Sequence, residues 1–301
     1  MFFYKRFTLV FLSALILSAC DSAEDNAAPT SSDVIFTTAS VLGSNVNDPA
    51  AIDAGPEVSF DGLELYFHSD RAGGSGGLDL YVSKRATTDE TWGAAVNLGA
   101  TINSDADDRA ASLSKDGLTL VIASDRTGTI GGYDLYLSTR ASVNDAWSAP
   151  ANLGNVVNTS FNESGADLNV DGLVMFFHSD RSGFGSDDLY GTNRATLSDP
   201  WAPPVNLGSN VNSADFDTAP EAASDLLTLY FHSTRAGGVG PINIWKSTRA
   251  TINDVWGVPA LMPAPVNTAS SDLGVGLSGD WKTIYFASDF GGNRDIWKAE
   301  P

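Results

Sequence analysis

Ser59-Phe60-Asp61-Gly62-Leu63-Glu64-Leu65-Tyr66-Phe67-His68-Ser69-Asp70-Arg71 is the stretch that decides the fold, because the chain repeats it. An aspartate stands eight residues before the serine in every copy, and glycine follows that aspartate in three of them. Asp-Gly between apolar runs is a strong signal for a β-hairpin. The serines stand 55, 55, 54 and 55 residues apart, at Ser69, Ser124, Ser179, Ser233 and Ser288. The chain therefore contains five copies of one hairpin-bearing unit.

Each copy continues with Asp-Leu-Tyr or a close variant, and in four copies a tryptophan follows. The first copy predicts four short strands at residues 57–60, 63–68, 78–83 and 92–98, rich in Val, Leu, Tyr, Phe and Trp and separated by turn residues. A four-stranded unit repeated at this period is typical of a β-propeller. The tryptophans, which we expect to pack between blades, are Trp92, Trp147, Trp201 and Trp256.

The two ends of the repeat region complement each other. The fifth copy stops at Pro301, four residues after Trp297, and so lacks its last strand. Residues 36–43 align with residues 92–99 at a constant offset of 56. An N-terminal strand that completes the last blade would close the ring and remove an exposed sheet edge. We therefore predict that residues 34–301 form an all-β, five-bladed propeller of four-stranded blades, closed by the N-terminal strand.

The N-terminal residues predict export and attachment to a membrane. Lys5 and Arg6 precede a short apolar run ending at Ala19, which is typical of a secretory signal and too short for a transmembrane helix. Leu17-Ser18-Ala19-Cys20 resembles the lipobox of bacterial lipoproteins, which implies that Cys20 is lipidated. The alternative is an ordinary cleavage site beside a chance cysteine. We expect a lipoprotein signal peptide at 1–19 and a lipidated cysteine with a flexible tether at 20–33.

The charge balance narrows the possible partners. The chain has 17 Lys and Arg against 37 Asp and Glu, a net charge of −20. Without Lys5 and Arg6 of the signal, 15 basic residues remain against 37 acidic ones, which gives −22. Such a field repels nucleic acid and anionic lipid surfaces. We expect no nucleic-acid binding and membrane contact through the lipid anchor alone.

The repeat also resembles a known family. Its pattern, Ser-x-Asp-Gly-x-x-Leu-x-Phe-x-Ser-Asp-Arg-x-Gly followed by Asp-Leu-Tyr, is similar to the WD-like propeller repeat of the TolB type, over nearly all of residues 34–301. Related repeats occur in periplasmic and outer-membrane lipoproteins, some fused to peptidoglycan-binding domains. The resemblance implies a propeller of the bacterial cell envelope, facing the periplasm or the cell surface. The five copies here depart from the six blades of TolB itself.

One acidic position is shared by all five copies, sixteen residues before each repeated serine. We expect this position to lie in the crossover between blades, so that five carboxylates ring one mouth of the central channel. Such a ring suits a hard cation such as Ca²⁺. The alternative, which we favour, is that each carboxylate accepts backbone hydrogen bonds within its own turn. The ring residues are Asp53, Asp108, Glu163, Asp217 and Asp272.

A second position, four residues later, differs between copies, and there we expect any catalytic group. Glu57, Asp167 and Glu221 occupy it in three copies, and Ser112 and Gly276 in the other two. We expect these residues to open the innermost strands. The similarity to five-bladed glycoside hydrolases implies that Glu57, Asp167 and Glu221 are the candidate catalytic carboxylates, and two carboxylates across a cleft suffice for glycoside hydrolysis.

Other repeated residues predict structural roles. His68, His178 and His232 share one position and are expected to cap strand ends, too far apart to form a zinc site. An arginine, such as Arg71, follows the repeated Ser-Asp and is expected to pair with that aspartate, here Asp70. The sequence thus favours a monomeric, non-enzymatic lipoprotein that binds an envelope protein or polysaccharide. The alternatives are a glycan-active enzyme and a Ca²⁺ site at the acidic ring; otherwise no cofactor is expected.

Overall fold

The structure, a computed structural model, describes residues 34–301. Within this range the chain forms twenty β-strands in five four-stranded antiparallel sheets and no helix. Accordingly, none of the described segments is a helix long and apolar enough to cross a membrane. The predictions of a signal peptide, of lipidation at Cys20 and of a tether concern residues outside the described range. The fold class predicted from the repeat is confirmed.

Each sheet is one blade, and in four of the blades the strands follow one another in chain order. The first blade contains β2 (Asp53–Val58), β3 (Glu64–Ser69), β4 (Asp79–Lys84) and β5 (Val96–Asn97); the second β6 (Asp108–Leu113), β7 (Thr119–Ser124), β8 (Asp134–Thr139) and β9 (Ala151–Asn152); the third β10 (Glu163–Leu168), β11 (Val174–Ser179), β12 (Asp188–Asn193) and β13 (Val205–Asn206); the fourth β14 (Asp217–Ala222), β15 (Thr228–Ser233), β16 (Asn243–Thr248) and β17 (Ala260–Leu261); the fifth β18 (Asp272–Leu277), β19 (Ile284–Ser288), β20 (Asp295–Glu300) and β1 (Thr38–Val41).

The ring closes in the way the sequence predicted. Strand β1 pairs antiparallel with β20, from Thr38 opposite Glu300 to Val41 opposite Trp297. The first strands of neighbouring blades lie against each other in a closed circuit of β2, β6, β10, β14 and β18. These five strands therefore surround the propeller axis, and the residues on them are the ones nearest to it.

The predicted inner strands started too late in the sequence. Strand β2 begins at Asp53 rather than at residue 57, so that Glu57 lies near the end of the inner strand and does not open it. Gly55 and Pro56 hid this start, because both residues disfavour regular strands. The structure accommodates them in a β-bulge between Ala54 and Glu57, with Gly55 at φ 60°. Every blade has the same register shift near the start of its inner strand.

The outer edge of each blade is short and is held by tryptophan. The fourth strand of the first blade is only Val96–Asn97, and Trp92 precedes it rather than starting it. Trp92 packs edge-on against Tyr285 of the fifth blade, with ring centroids 6.2 Å apart. Trp256 meets Phe176 of the third blade in the same way at 6.2 Å. These contacts confirm that tryptophans pack between blades, where aromatic pairs contribute beyond the area that they bury.

Candidate functional site

The five acidic residues of the predicted ring each occupy the first position of an inner strand, and all five are fully buried. Asp53 Oδ2 accepts the backbone N–H of Asp48 at 2.6 Å. The other four blades repeat this bond at 2.5 to 2.7 Å: Ser104 to Asp108, Thr159 to Glu163, Ser213 to Asp217 and Thr268 to Asp272. The carboxylates therefore stabilise the crossover turns that precede their own strands. This agrees with the expectation that each one accepts backbone hydrogen bonds within its own turn.

An arginine of the same blade occupies the second oxygen of four ring carboxylates. Arg71 pairs with Asp53 and not with Asp70, whose Oδ1 accepts the Ile52 N–H at 2.7 Å. The predicted pairing with Asp70 is therefore wrong. The corresponding pairs are Arg126–Asp108, Arg181–Glu163 and Arg235–Asp217. Among residues 34–301, no three or more His, Cys, Asp or Glu side chains are arranged to hold a metal ion.

In the fifth blade a different contact replaces the arginine. Phe290 stands at the arginine position, and the Ser288 hydroxyl donates to Asp272 Oδ1 at 2.5 Å. Burial without a cationic partner raises the pKa of Asp272 above its ordinary value. The ring is therefore built from the same parts in four blades and modified in one.

The candidate catalytic carboxyl groups form a second circuit around the axis, at the opposite end of the inner strands. Glu57 Oε1 accepts the Leu113 N–H of the second blade at 2.8 Å. Ser112, Asp167 and Glu221 make the equivalent bond to the next blade, to Leu168 at 2.8 Å, to Ala222 at 2.8 Å and to Leu277 at 3.2 Å. Gly276 has no side chain with which to do so. Each of these side chains therefore fastens its own blade to the following one.

Glu57, Asp167 and Glu221 line one cavity of about 50 Å³. Burial, reinforced by the charge of Asp167, raises the pKa of Glu57 to about 8 against the opposing Leu113 hydrogen bond. Burial likewise raises the pKa of Asp167 to about 7. The pKa of Glu221 lies well above its ordinary value because of burial and the nearby Asp167 and Glu57. The structure thus brings the three predicted carboxyl groups together, and burial favours the protonated form of each.

This arrangement has one property of a catalytic site and lacks another. A carboxylic acid with a raised pKa is what a general acid requires. The cavity, however, holds only about 50 Å³, and Phe60, Lys115 and Trp281 also line it. Ligand pockets usually measure roughly 300–1,000 Å³, and a water molecule takes about 30 Å³. The cavity is therefore large enough for a few waters and small for a sugar ring.

Two of the three histidines, His178 and His232, join blades rather than capping the ends of their own strands. His178 Nδ1 accepts the Ala219 N–H of the fourth blade, and His232 Nδ1 accepts the Gly274 N–H of the fifth, both at 3.2 Å. His68 Nδ1 is buried and has no partner within residues 34–301. Burial lowers the pKa of His68 to about 3 and that of His232 to about 4. The imidazoles are therefore neutral at physiological pH.

Arg109 is a residue of this region that the repeat pattern did not mark. It follows ring residue Asp108, and small or apolar side chains occupy the same position in the other blades: Ala54, Ser164, Thr218 and Leu273. Its guanidinium lies 3.6 Å from the centroid of the Tyr133 ring. A lone cation at a position that is otherwise uncharged was the available signal.

No protein-family model and no curated protein matches this sequence. Among solved structures, TolB from Acinetobacter baumannii superposes with a TM-score of 0.52 at 13% identity, over 85% of this chain and 56% of that one. A thermostable family-43 glycoside hydrolase gives 0.56 at 10% identity, over 82% and 89%. An endo-arabinase from Bacteroides thetaiotaomicron VPI-5482 gives 0.56 at 11% identity, over 87% and 96%. These likenesses show the fold.

The names of the two kinds of structural neighbour indicate different functions. The hydrolase and the arabinase are enzymes by name, whereas TolB is not named as one. Fold alone does not choose between them, because one fold carries many functions. The choice therefore depends on the geometry around the axis.

Proposed function

We propose that this chain is a non-enzymatic binding protein of the bacterial cell envelope, anchored through a lipid on Cys20, whose propeller presents a rigid acidic disc to a protein or envelope polymer. One observation carries the proposal. The three carboxyl groups placed where a glycan-active propeller would need them each accept an N–H from the neighbouring blade. Ser112, which has no carboxyl group, makes the same bond. The position therefore serves to join blades whatever acceptor it carries.

The size of the axial cavity supports the same proposal. The space of about 50 Å³ between the carboxyl groups is small for the two sugar units that flank a glycosidic bond. Hydrolysis with inversion needs two carboxyl groups roughly 6.5–9.5 Å apart with substrate and water between them. A protein or polymer partner would instead contact the outer surfaces of the disc, which need no deep pocket.

Affinity isolation from the source envelope tests the proposal. The full-length lipidated chain, carrying a C-terminal tag, is extracted in mild detergent and used as bait. The control bait carries the same signal, lipid and tether without the propeller. Reproducible, saturable enrichment of one component over the control supports binding. Repeated recovery of none counts against it.

A glycan-active enzyme remains the second candidate, because three carboxyl groups with raised pKa values converge on one cavity. The test is a panel of envelope and plant glycans incubated with the full chain, followed by Glu221→Gln. Ser112→Ala is the matched control, since it removes an equivalent blade-joining contact without a carboxyl group. Turnover that Glu221→Gln abolishes and Ser112→Ala retains would establish the enzyme. Absence of turnover on the whole panel would remove it.

A further inference from the structure

Arg109 is the only arginine within residues 34–301 whose side chain makes neither a hydrogen bond nor an ion pair to the described part of the chain, and its Nε is buried without a partner. Six arginines are in ion pairs: Arg71, Arg126, Arg140, Arg181, Arg235 and Arg294. Three others donate to backbone carbonyls: Arg85, Arg194 and Arg249. The side-chain donors of Arg109 therefore have no acceptor within residues 34–301, although the chain has a large excess of carboxylates.

Tyr133 holds this guanidinium in a defined place. The guanidinium carbon lies 3.6 Å from the Tyr133 ring centroid, and the Tyr133 hydroxyl donates to Asp107 at 2.9 Å. The Tyr133 N–H donates to Asn162 Oδ1 of the next crossover at 2.9 Å, which fixes the ring further. A stacked guanidinium keeps its N–H groups in its own plane, free to bind a carboxylate with two parallel hydrogen bonds.

The position of Arg109 is at the propeller axis, at the end where the inner strands begin. After the larger effect of burial, its charge adds to the lowering of the pKa of His68 in the first blade and of His178 in the third. Burial and the charge of Asp180 raise the pKa of Asp187 in the third blade to about 6, and the charge of Arg109 opposes that rise. A charge that acts on blades on both sides of its own lies near their common axis. His68 contributes a second buried atom without a partner, Nδ1, in the same place.

Four exposed apolar side chains, here called the apolar rim, lie on loops next to the starts of the inner strands or between the second and third strands of a blade. Ile130, Phe161, Phe184 and Phe216 are each about half exposed, between 45 and 53%. The loops that carry them touch: a Cβ at Gly131 would lie 1.9 Å from the Phe161 carbonyl oxygen, and a Cβ at Gly185 would lie 2.3 Å from that of Asp215. The rim continues to the Arg109 environment, because Asn162 binds Tyr133 and Phe216 forms a β-bridge with Asp187.

We propose that this end of the channel docks a peptide segment of a partner protein, which places one Asp or Glu carboxylate on Arg109 and its apolar side chains on the rim of Ile130, Phe161, Phe184 and Phe216. The inference rests on the proposed binding function and names its site and ligand chemistry. The surrounding Asp107 and Asp187 carboxyl groups disfavour a doubly charged phosphate more than a single carboxylate. The rim side chains carry no hydrogen-bonding group to match sugar hydroxyls, which favours a peptide over an acidic sugar.

The test compares two fluorescent peptide pools that differ in one functional group. One pool is acetyl-X-X-Asp-X-X-amide and the other acetyl-X-X-Asn-X-X-amide, with X an equal mixture of Leu, Val and Phe. Anisotropy is measured with the full-length lipidated chain in detergent, for the wild type, Arg109→Gln and Lys115→Gln. Lys115 lies over Phe60 at the opposite end of the channel, so its change removes the same charge elsewhere.

We expect the Asp pool to bind the wild type and the Lys115→Gln variant, and to bind Arg109→Gln at least tenfold more weakly. The Asn pool should be at least tenfold weaker on the wild type. Arg109→Ser, which places the serine of the third blade at this position, repeats the measurement if Arg109→Gln fails to fold. Equal binding of both pools, equal losses in the Arg109 and Lys115 variants, or no binding overturns the inference.

A further arm separates the ligand source and the two proposals. Arg109-dependent binding of an oligoglucuronate without binding of the Asp pool overturns the peptide assignment. If the envelope isolation recovers the same partner with wild type and Arg109→Gln, the binding function stands and the Arg109 site is wrong. If the isolation recovers no partner but the Asp pool binds through Arg109, the peptide site at Arg109 is retained. The proposal that the partner is an envelope component then fails.

Discussion

The Glu57 carboxyl group of the first blade accepts the Leu113 N–H of the second blade at 2.8 Å, in a position buried from solvent. This candidate catalytic residue thus joins two blades. Its raised pKa, about 8, follows from the same burial and from the nearby Asp167. The contact therefore has a consequence for stability that can be measured as a function of pH.

We expect Glu57→Gln to stabilise the protein at alkaline pH. The folded state raises the pKa of Glu57 from 4.5 to about 8, so it holds a proton that the unfolded chain releases. The contribution of Glu57 to the free energy of unfolding is therefore fully present below about pH 4.5 and is lost as the pH rises towards 8. Glutamine keeps the acceptor for Leu113 without ionising, and should recover roughly 2–4 kcal/mol at pH 9 and little at pH 5. Urea unfolding at both pH values measures this.

The matched control for that experiment is Glu90→Gln, which removes the same charge from an exposed loop. It should leave the pH dependence of the wild type unchanged. A wild-type unfolding free energy that does not fall between pH 5 and 9, or that Glu90→Gln flattens equally, would contradict the buried acid at position 57.

On the acid side, we expect the histidines to limit stability. Burial lowers the pKa of His68 to about 3, whereas the unfolded chain takes up a proton below about 6.5. Stability is therefore lost as the pH falls from 6.5 towards 3. His68→Ala, which introduces the residue found at Ala123 and Ala287, should reduce this loss between pH 7 and 4. Thermal unfolding across that range checks it, and an unchanged acid slope in the variant would argue against a neutral buried imidazole.

Arg71→Gln is predicted to destabilise the first blade by about 3–5 kcal/mol, because it leaves the buried Asp53 carboxylate without its cation. The double variant Asp53→Asn with Arg71→Gln should recover part of that loss, since no uncompensated charge remains. Chemical unfolding of the wild type, both single variants and the double variant gives the coupling. Strict additivity of the two single effects would show that the pair does not interact.

Addition of Ca²⁺ is expected to leave the melting temperature unchanged. The ring carboxylates are already bound by crossover N–H groups and, in four blades, by arginines. A ligand that binds the folded state stabilises by mass action, about 2.7 kcal/mol at one hundred times its Kd. Scanning calorimetry with EDTA and with millimolar Ca²⁺ checks the prediction. A calcium-dependent rise of several degrees would restore the cation site.

Asn47→Ala is predicted to loosen the closure of the ring by about 2–4 kcal/mol. Its amide donates to the Leu42 and Ile296 carbonyls at 2.9 and 3.0 Å and accepts the Ile296 N–H at 2.8 Å, joining the N-terminal segment to the last blade. Asn103→Ala removes the equivalent contacts within the first blade and serves as the control. Hydrogen exchange should become faster in β1 only for Asn47→Ala. Equal exchange of β1 in both variants would contradict a specific closing role.

The repeat spacing was sufficient to predict the blade count, the four-stranded blades and the closing strand. All three predictions follow from apolar runs and turn residues that recur at a regular spacing, and this pattern can be read directly from the sequence. The start of the inner strand was missed at Asp53, because a bulge lets Gly55 and Pro56 lie within a strand. A bulge depends on how two strands pair, so the propensities of the local residues do not reveal it.

The candidate site was predictable only in part. The divergence of the position shared by Glu57 and Gly276 indicated which carboxyl groups would converge on the axis. That each one bonds to the next blade depends on how far blades stand apart, which the sequence does not encode locally. That Asp53 pairs with Arg71 was likewise not predictable, because Arg71 lies eighteen residues away, just after the neighbouring strand. Arg109 escaped notice because its significance is the absence of a partner.

The central claim is that the propeller binds and does not catalyse, and its most direct test is the quantitative isolation of envelope components with the full-length tagged chain. Binding predicts one component that is enriched over the tether-only control and saturates with added bait. Recovery of no such component in repeated isolations, or turnover of a glycan that depends on Glu221, would contradict it.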